Sequence, residues 1–434
     1  MVQTGRRDPE LAAPAPAPAP PPRGPLAPLA RTFSALRTPD YRYLLAGTFF
    51  SSMGQWVEQV TLGWLVYSLT GSSVLLGLIN GARSIPFLVT GPFAGAMIDR
   101  TNRKWVLMGT QAFLMVATLL LAIDLMAGTI EVWHIFVFTL GTGVAWSLNQ
   151  PVRQTLVASV VPRADIANAV SLNAAAFNLT RVIGPTVGGL MIAVVGAGGN
   201  FIVQSLLYLA VVLTISRMRV PAPTGVRPTG SVLRNMKEGG LWVWRNPSMR
   251  GLMLLALIPS LVAMPYMSLM PIFAQDVLEV GPSGLGLMLT ATGFGAFFGA
   301  LAVAAGLRTK RREMVQFIAL AVMGGSLIGF SQTRAMPVAV FFLVVSGVCQ
   351  MIYMNTNQAV LQMLIPDELR GRVSSIYMLS LGLMPLGTFF GGLLTSVVGV
   401  QTTVAGMGCA CIAVAGLAAW LMPPVTKPDE PAVE

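Results

Sequence analysis

Three ionisable side chains fall deep inside apolar stretches: Glu58, Arg83 and Arg181. A charge at mid-membrane costs about 2.5–3.5 kcal/mol on insertion scales, so each must face protein or water. A carboxyl group there that gains and loses a proton is the chemistry of a proton carrier. The plainer reading of Glu58 is a permanent ion pair with Arg83. Arginine stays charged and needs partners. One carboxylate neutralises one arginine, not two, and Asp124 sits near the end of its stretch, roughly 13 Å from the centre at 1.5 Å per residue. Surplus positive charge suits an anionic or phenolic ligand. The alternative is that one guanidinium braces backbone carbonyls.

Polar stripes accompany these charges. Ser51, Gln55, Glu58 and Gln59 fall at steps of four, three and one, on one side of a helix. Trp146, Asn149 and Arg153 form a second stripe, and Gln350, Asn357 and Gln358 a third. Gln55, Gln59, Trp146, Asn149, Asn357 and Gln358 are therefore candidates to line a ligand cavity. Their ordinary use would be hydrogen bonding between helices. Met264, Met267 and Met270 surround Pro259, Pro265 and Pro271, a set that suits varied apolar ligands or plain packing.

The elements holding these residues are twelve apolar stretches, each near the roughly 20 residues that a bilayer crossing needs. They lie at about 44–69, 73–98, 105–126, 132–150, 170–195, 200–218, 249–274, 284–306, 314–332, 337–363, 373–399 and 401–422, with the fourth and tenth free to run on. Of 28 Lys and Arg residues, 25 lie in the tails and one alternate set of loops. Arg334 alone lies in the other set, and Arg83 and Arg181 lie within stretches. Basic short loops stay in the cytoplasm, so both termini are expected there, in a multi-pass protein of a bacterial cell membrane.

Only 10% of residues are charged and 54% are hydrophobic, with mean hydropathy +0.70. The net charge of +11 is spread over short loops. It fits topology and anionic lipid better than nucleic acid. Cys349, Cys409 and Cys411 all fall in apolar stretches and imply no disulfide framework. One histidine gives no His-based metal cluster. No cofactor motif or cleavable signal is expected.

Residues 1–41 read as a disordered Pro/Ala-rich tail, 42–218 and 249–422 as two six-helix bundles, 219–248 as a cytoplasmic linker with an interfacial helix, and 423–434 as a second tail. Gly239 and Gly240 weaken that interfacial helix. An internal repeat supports the division. Gly184 to Gly196 reads GPTVGGLMIAVVG and Gly387 to Gly399 reads GTFFGGLLTSVVG, with seven of 13 positions identical at a shift of 203. The fold expected is all-α and membrane-spanning, with twelve transmembrane helices in two pseudo-symmetric bundles.

The loop after the second stretch carries Gly95, Asp99, Arg100, Arg103 and Lys104. It resembles the signature of the major facilitator superfamily, with Asn102 where a glycine is usual. The second-half copy has Leu307 where the aspartate would fall. Gly184, Pro185, Gly188 and Gly189 resemble the second half of the fifth-helix motif of proton-coupled exporters, while Ser171 and Thr180 replace glycines of the first half. The fourth stretch lacks the arginine typical of many drug–proton antiporters. Pro366 to Arg372, Leu69 to Ser72 and Asn80 to Pro86 are similar to the branch that holds the enterobactin exporter and macrolide-efflux-like proteins.

The resemblance implies a secondary active exporter of a small amphipathic or anionic molecule, working by alternating access with proton antiport. It implies a gating role for Asp99, Arg100, Arg103 and Lys104, and close helix packing at Gly184, Pro185, Gly188 and Gly189 against Gly293, Gly295 and Gly299. The expected partners are a small-molecule substrate, protons and membrane lipid, and the expected state is a monomer. Lysophospholipid flipping or solute uptake on the same fold is the alternative. An embedded enzyme would need an acid/base or metal cluster, which the sequence does not offer.

Overall fold

The computed structural model describes residues 33–86, 89–90, 101–220, 232–305, 312–366, 369, 372–374, 376–377 and 383–421, with backbone alone at 232–237 and 312–313. Asp99, Arg100, most of both tails and the 221–231 part of the linker lie outside the described residues.

The described chain is helical and makes twelve passes. The first is Pro39–Thr70, started by a proline at its first turn and ended by Gly71 in the left-handed region. The second starts at Ser73–Ala82, where Ser72 Oγ accepts from Leu75 N. The third is Arg103–Met126 and the fourth Val132–Val160. The helical stretch Ile166–Ser216 holds the fifth and sixth, separated at Gly196. The seventh is broken into Pro247–Val262, Tyr266–Ile272 and a π turn Phe273–Val277. Pro259, Pro265 and Pro271 explain the break, because each removes a backbone donor. The eighth to tenth are Gly281–Ala304, Arg312–Gln332 and Met336–Leu364. Met384–Val398 lies in the eleventh, and Val400–Leu421 is the twelfth.

Seven described helical stretches are long and apolar enough to cross a membrane by themselves. The first and fourth passes, of 32 and 29 residues, are long but more polar. Their polar side chains, including Ser51, Glu58, Asn149 and Arg153, are buried against protein rather than lipid. The fourth helix runs ten residues past its expected end at residue 150. It therefore takes Arg153, on the stripe expected with Trp146 and Asn149, into the protein at 8% exposure.

The internal repeat recurs as matched contacts. A Cβ on Gly184 would lie 2.6 Å from Trp56 Cβ on the first pass, and one on Gly387 would overlap Leu261 O on the seventh. A Cβ on Gly189 would lie 2.5 Å from Pro282 O and 2.8 Å from Gly286 Cα on the eighth. One on Gly392 would lie 3.0 Å from Gly77 Cα on the second. Small residues thus let backbones touch where the halves meet. The facing surface on the eighth pass differs from the expected one. Gly286 and Gly293 meet the fifth pass, whereas Gly295 and Gly299 turn to Val344 and Val348 of the tenth.

The linker helix, Val232–Arg245, docks on the chain leading into the eleventh pass. Glu238 pairs with Arg372 at 2.8 Å. A Cβ on Gly239 would lie 3.0 Å from Arg372 O, so the glycine that weakens the helix permits its docking.

Candidate functional site

Glu58 is fully buried between the first, second and sixth passes. Arg83 Nη2 donates to its Oε1. Gln204 Nε2 donates to Oε2 at 2.8 Å and Tyr208 OH to the same oxygen at 3.1 Å. Three donors thus converge on one carboxylate and fix its position among the three passes. The Arg83 side chain is 24% exposed and is the outward edge of the group. Gln204 and Tyr208 were not picked out from sequence. Their signal was present: with Asn200, they are polar side chains one turn apart in a largely apolar stretch.

Arg181 does not join this group. It lies on the fifth pass where the halves touch: a Cβ on Gly293 would come 2.7 Å from Arg181 O. Its Nη2 donates to Gln350 Oε1 of the tenth pass at 3.4 Å, and its buried Nε has no partner. Tyr266, on the broken seventh pass, is within electrostatic reach. The two arginines therefore serve different places, one inside the first half and one between the halves.

The polar stripes divide in the same way. Ser51 and Glu58, seven residues apart, point into the first half, where Gln111 Nε2 donates to Ser51 Oγ at 3.3 Å. Gln55 and Gln59, on the flank of that face, stay part-exposed, and Gln55 Oε1 is unpartnered. Asn149 is enclosed and accepts from Arg153 Nε at 2.6 Å, while Arg153 Nη1 reaches Thr48 Oγ1 at 3.1 Å. Trp146 packs beside Tyr208 and Leu114, its indole nitrogen unpartnered. Gln350 and Asn357 are buried, and Asn357 hydrogen-bonds Tyr377. Gln358 is exposed on another side.

At the end near the termini, Lys104 Nζ donates to Ser216 O at 2.7 Å and Met218 O at 2.6 Å. A cation thus caps the last carbonyls of the sixth pass. These contacts stay within one half, and Arg103 Nε is buried without a partner.

Among the described residues, hydrogen bonds joining the halves run from mid-membrane to the far end, away from the termini. Tyr67 OH donates to Asp276 Oδ2. Ser73 Oγ donates to Gly392 O at 3.0 Å, Thr186 and Thr290 hydroxyls meet at 2.5 Å, and Thr290 Oγ1 donates to Val182 O at 3.1 Å. With Arg181 and Gln350, these tie the fifth pass to the eighth and tenth, and the first and second to the seventh and eleventh.

A family model described as transmembrane secretion effector matches residues 30–432. The chain belongs to this family of the major facilitator superfamily. It is 28% identical over 371 residues to the multidrug efflux pump Tap of Mycolicibacterium fortuitum, covering 83% of this chain and 90% of that one. It is 23% identical over 376 residues to the staphyloferrin A transporter of Staphylococcus aureus, covering 86% and 94%. The crystal structure of a point mutant of the nucleoside transporter NupG superposes with a TM-score of 0.73 at 13% identity, covering 88% of this chain and all of that one, a likeness of fold alone. The chain is a multi-pass membrane protein of an efflux-type transporter family, and these relatives are transporters rather than enzymes.

Proposed function

We propose that this chain exports a small amphipathic or anionic molecule across the bacterial cytoplasmic membrane by alternating access, driven by proton antiport. The single observation that carries the reading is the buried Glu58 carboxylate, whose counter-ion Arg83 forms the exposed edge of the group. Protonating Glu58 removes its charge pairing with Arg83 and so changes what holds the first, second and sixth passes together. Antiport follows when the protonated carrier and the substrate-loaded carrier are different states of the bundles.

The two halves, about 42–218 and 249–422, act as the rocking bundles in this reading, with 219–248 as the cytoplasmic strap. Both termini face the cytoplasm, on the basic-loop rule. The contacts at the far end then correspond to a state closed to the outside. Asp99, Arg100, Arg103 and Lys104 gate the cytoplasmic end, and Gln55, Gln59, Trp146, Asn149, Asn357 and Gln358 offer polar groups to the path. Protons, lipid and a small solute are the partners of a monomeric carrier.

The relatives named as a multidrug efflux pump and a macrolide efflux protein support export over uptake or lysophospholipid flipping. The test uses inside-out membrane vesicles carrying the protein, acidified inside. Accumulation of 1-naphthoate but not of a labelled lysophospholipid, abolished by a protonophore, is expected. Accumulation of the lipid alone, or movement indifferent to the protonophore, contradicts the reading.

A further inference from the structure

The charge left over among the buried groups defines a ligand. Glu58 is committed to Arg83, Gln204 and Tyr208. Asp124 is held at the far end by His134 at 2.7 Å and Thr129 at 2.6 Å. Asp276 takes the hydroxyl of Tyr67. Among the described residues no carboxylate pairs with Arg181, whose Nε is buried and unpartnered. Its one hydrogen-bond partner, Gln350, is 4% exposed and turns its amide nitrogen to Met264 Sδ, which leaves Oε1 facing the guanidinium.

One turn along the same helix lies Phe177, whose ring packs on Trp56 with centroids 6.0 Å apart at 51°. Trp56 backs onto Gly184, so the indole, the phenyl ring and Arg181 follow one face of the fifth pass. The indole Nε1 is also buried without a partner. Two orphan donors, one of them cationic, thus stand beside an aromatic pair. Orphan buried donors are costly, and a ligand acceptor satisfies them. One helical turn, about 5.4 Å, separates the backbone positions of Phe177 and Arg181.

We propose that Arg181, aligned by Gln350, binds the carboxylate of an aromatic monoanion whose ring lies against Trp56 and Phe177. Arg181 offers the fixed fork that suits a carboxylate. Trp56, Phe177 and Arg181 come from the first half and Gln350 from the second. The ligand therefore contacts both halves, and its binding differs between states in which they are apart or together. This assignment names the substrate class of the export reading and rests on it.

The test uses the full chain in lipid nanodiscs, with quenching of tryptophan fluorescence by 1-naphthoate or by its uncharged counterpart 1-naphthamide. Wild type is expected to bind naphthoate saturably and naphthamide at least tenfold more weakly. Arg181→Gln should lose at least tenfold in naphthoate binding and leave naphthamide unchanged. Should Arg181→Gln fail to fold, Gln350→Leu carries the same test, with a smaller loss for naphthoate alone. Equal binding of both probes by wild type, no binding of either, or a variant that binds naphthoate as wild type does, overturns the proposal. Liposome transport separates the two readings. Naphthoate binding that depends on Arg181 without gradient-driven movement leaves the site and removes export. Gradient-driven naphthoate movement equal in wild type and Arg181→Gln removes the site and leaves export.

Discussion

Gly196 and Gly399, 203 residues apart, share one backbone conformation: φ 72° with ψ 173°, and φ 82° with ψ 158°. Each turns its pass, the fifth or the eleventh, directly into the next helix. This region is essentially closed to residues with a Cβ. No atom lies within 4 Å of a Cβ at either site, so the requirement is conformational and not steric.

Gly196→Ala and Gly399→Ala should therefore each destabilise the protein by about 1–3 kcal/mol through backbone strain alone. Thermal unfolding in detergent should report a similar loss at both positions. A loss at one and none at the other would contradict the equivalence of the two turns.

Gly189→Val and Gly392→Val act differently, because their neighbours are the backbones of the opposite half. Each substitution should leave the helices of its own half packed and drive the far ends apart. Spin labels on the first and seventh passes should report a longer mean distance. An unchanged distance in a folded variant would mean that these crossings do not hold the closure.

Tyr67→Phe removes the hydroxyl that Asp276 accepts and keeps the ring. The far end should then open more often, and a cysteine nearby should react with an impermeant thiol reagent several-fold faster. Unaltered reactivity would show that the bond spans the halves without holding them.

Asp99 lies outside the described residues, and its gating role rests on the signature it resembles. Asp99→Asn should insert at wild-type levels and slow transport by shifting the balance of states. Transport at the wild-type rate for equal expression would remove Asp99 from the gate.

The fold was legible in the sequence because the signals are long-range and redundant: apolar length, the bias of basic loops, and a glycine pattern repeated at 203. The site was legible in part. Glu58 and Arg83 announced a pair by being charged in apolar stretches. Their other partners, Gln204 and Tyr208, lie about 150 residues away in sequence, and no periodicity connects them. The stripes divide by angle. Gln55 and Gln59 sit on the flank of the face that holds Ser51 and Glu58, and Gln358 turns away from Asn357. A step of one residue rotates a helix by about 100°. Arg153 lies past the end of the apolar content, and its spacing from Trp146 and Asn149 is the signal that places it on the helix.

The central claim is that Glu58 carries the coupling proton, and one measurement tests it most directly. Purified protein in liposomes is given an imposed proton gradient, and 1-naphthoate movement is followed for wild type, Glu58→Gln and the double variant Glu58→Gln with Arg83→Gln. The double variant guards against a buried arginine left without its partner. The account predicts that both variants fold, bind naphthoate and exchange it across the membrane, but no longer respond to the gradient. Full gradient-driven accumulation by well-folded Glu58→Gln would contradict it.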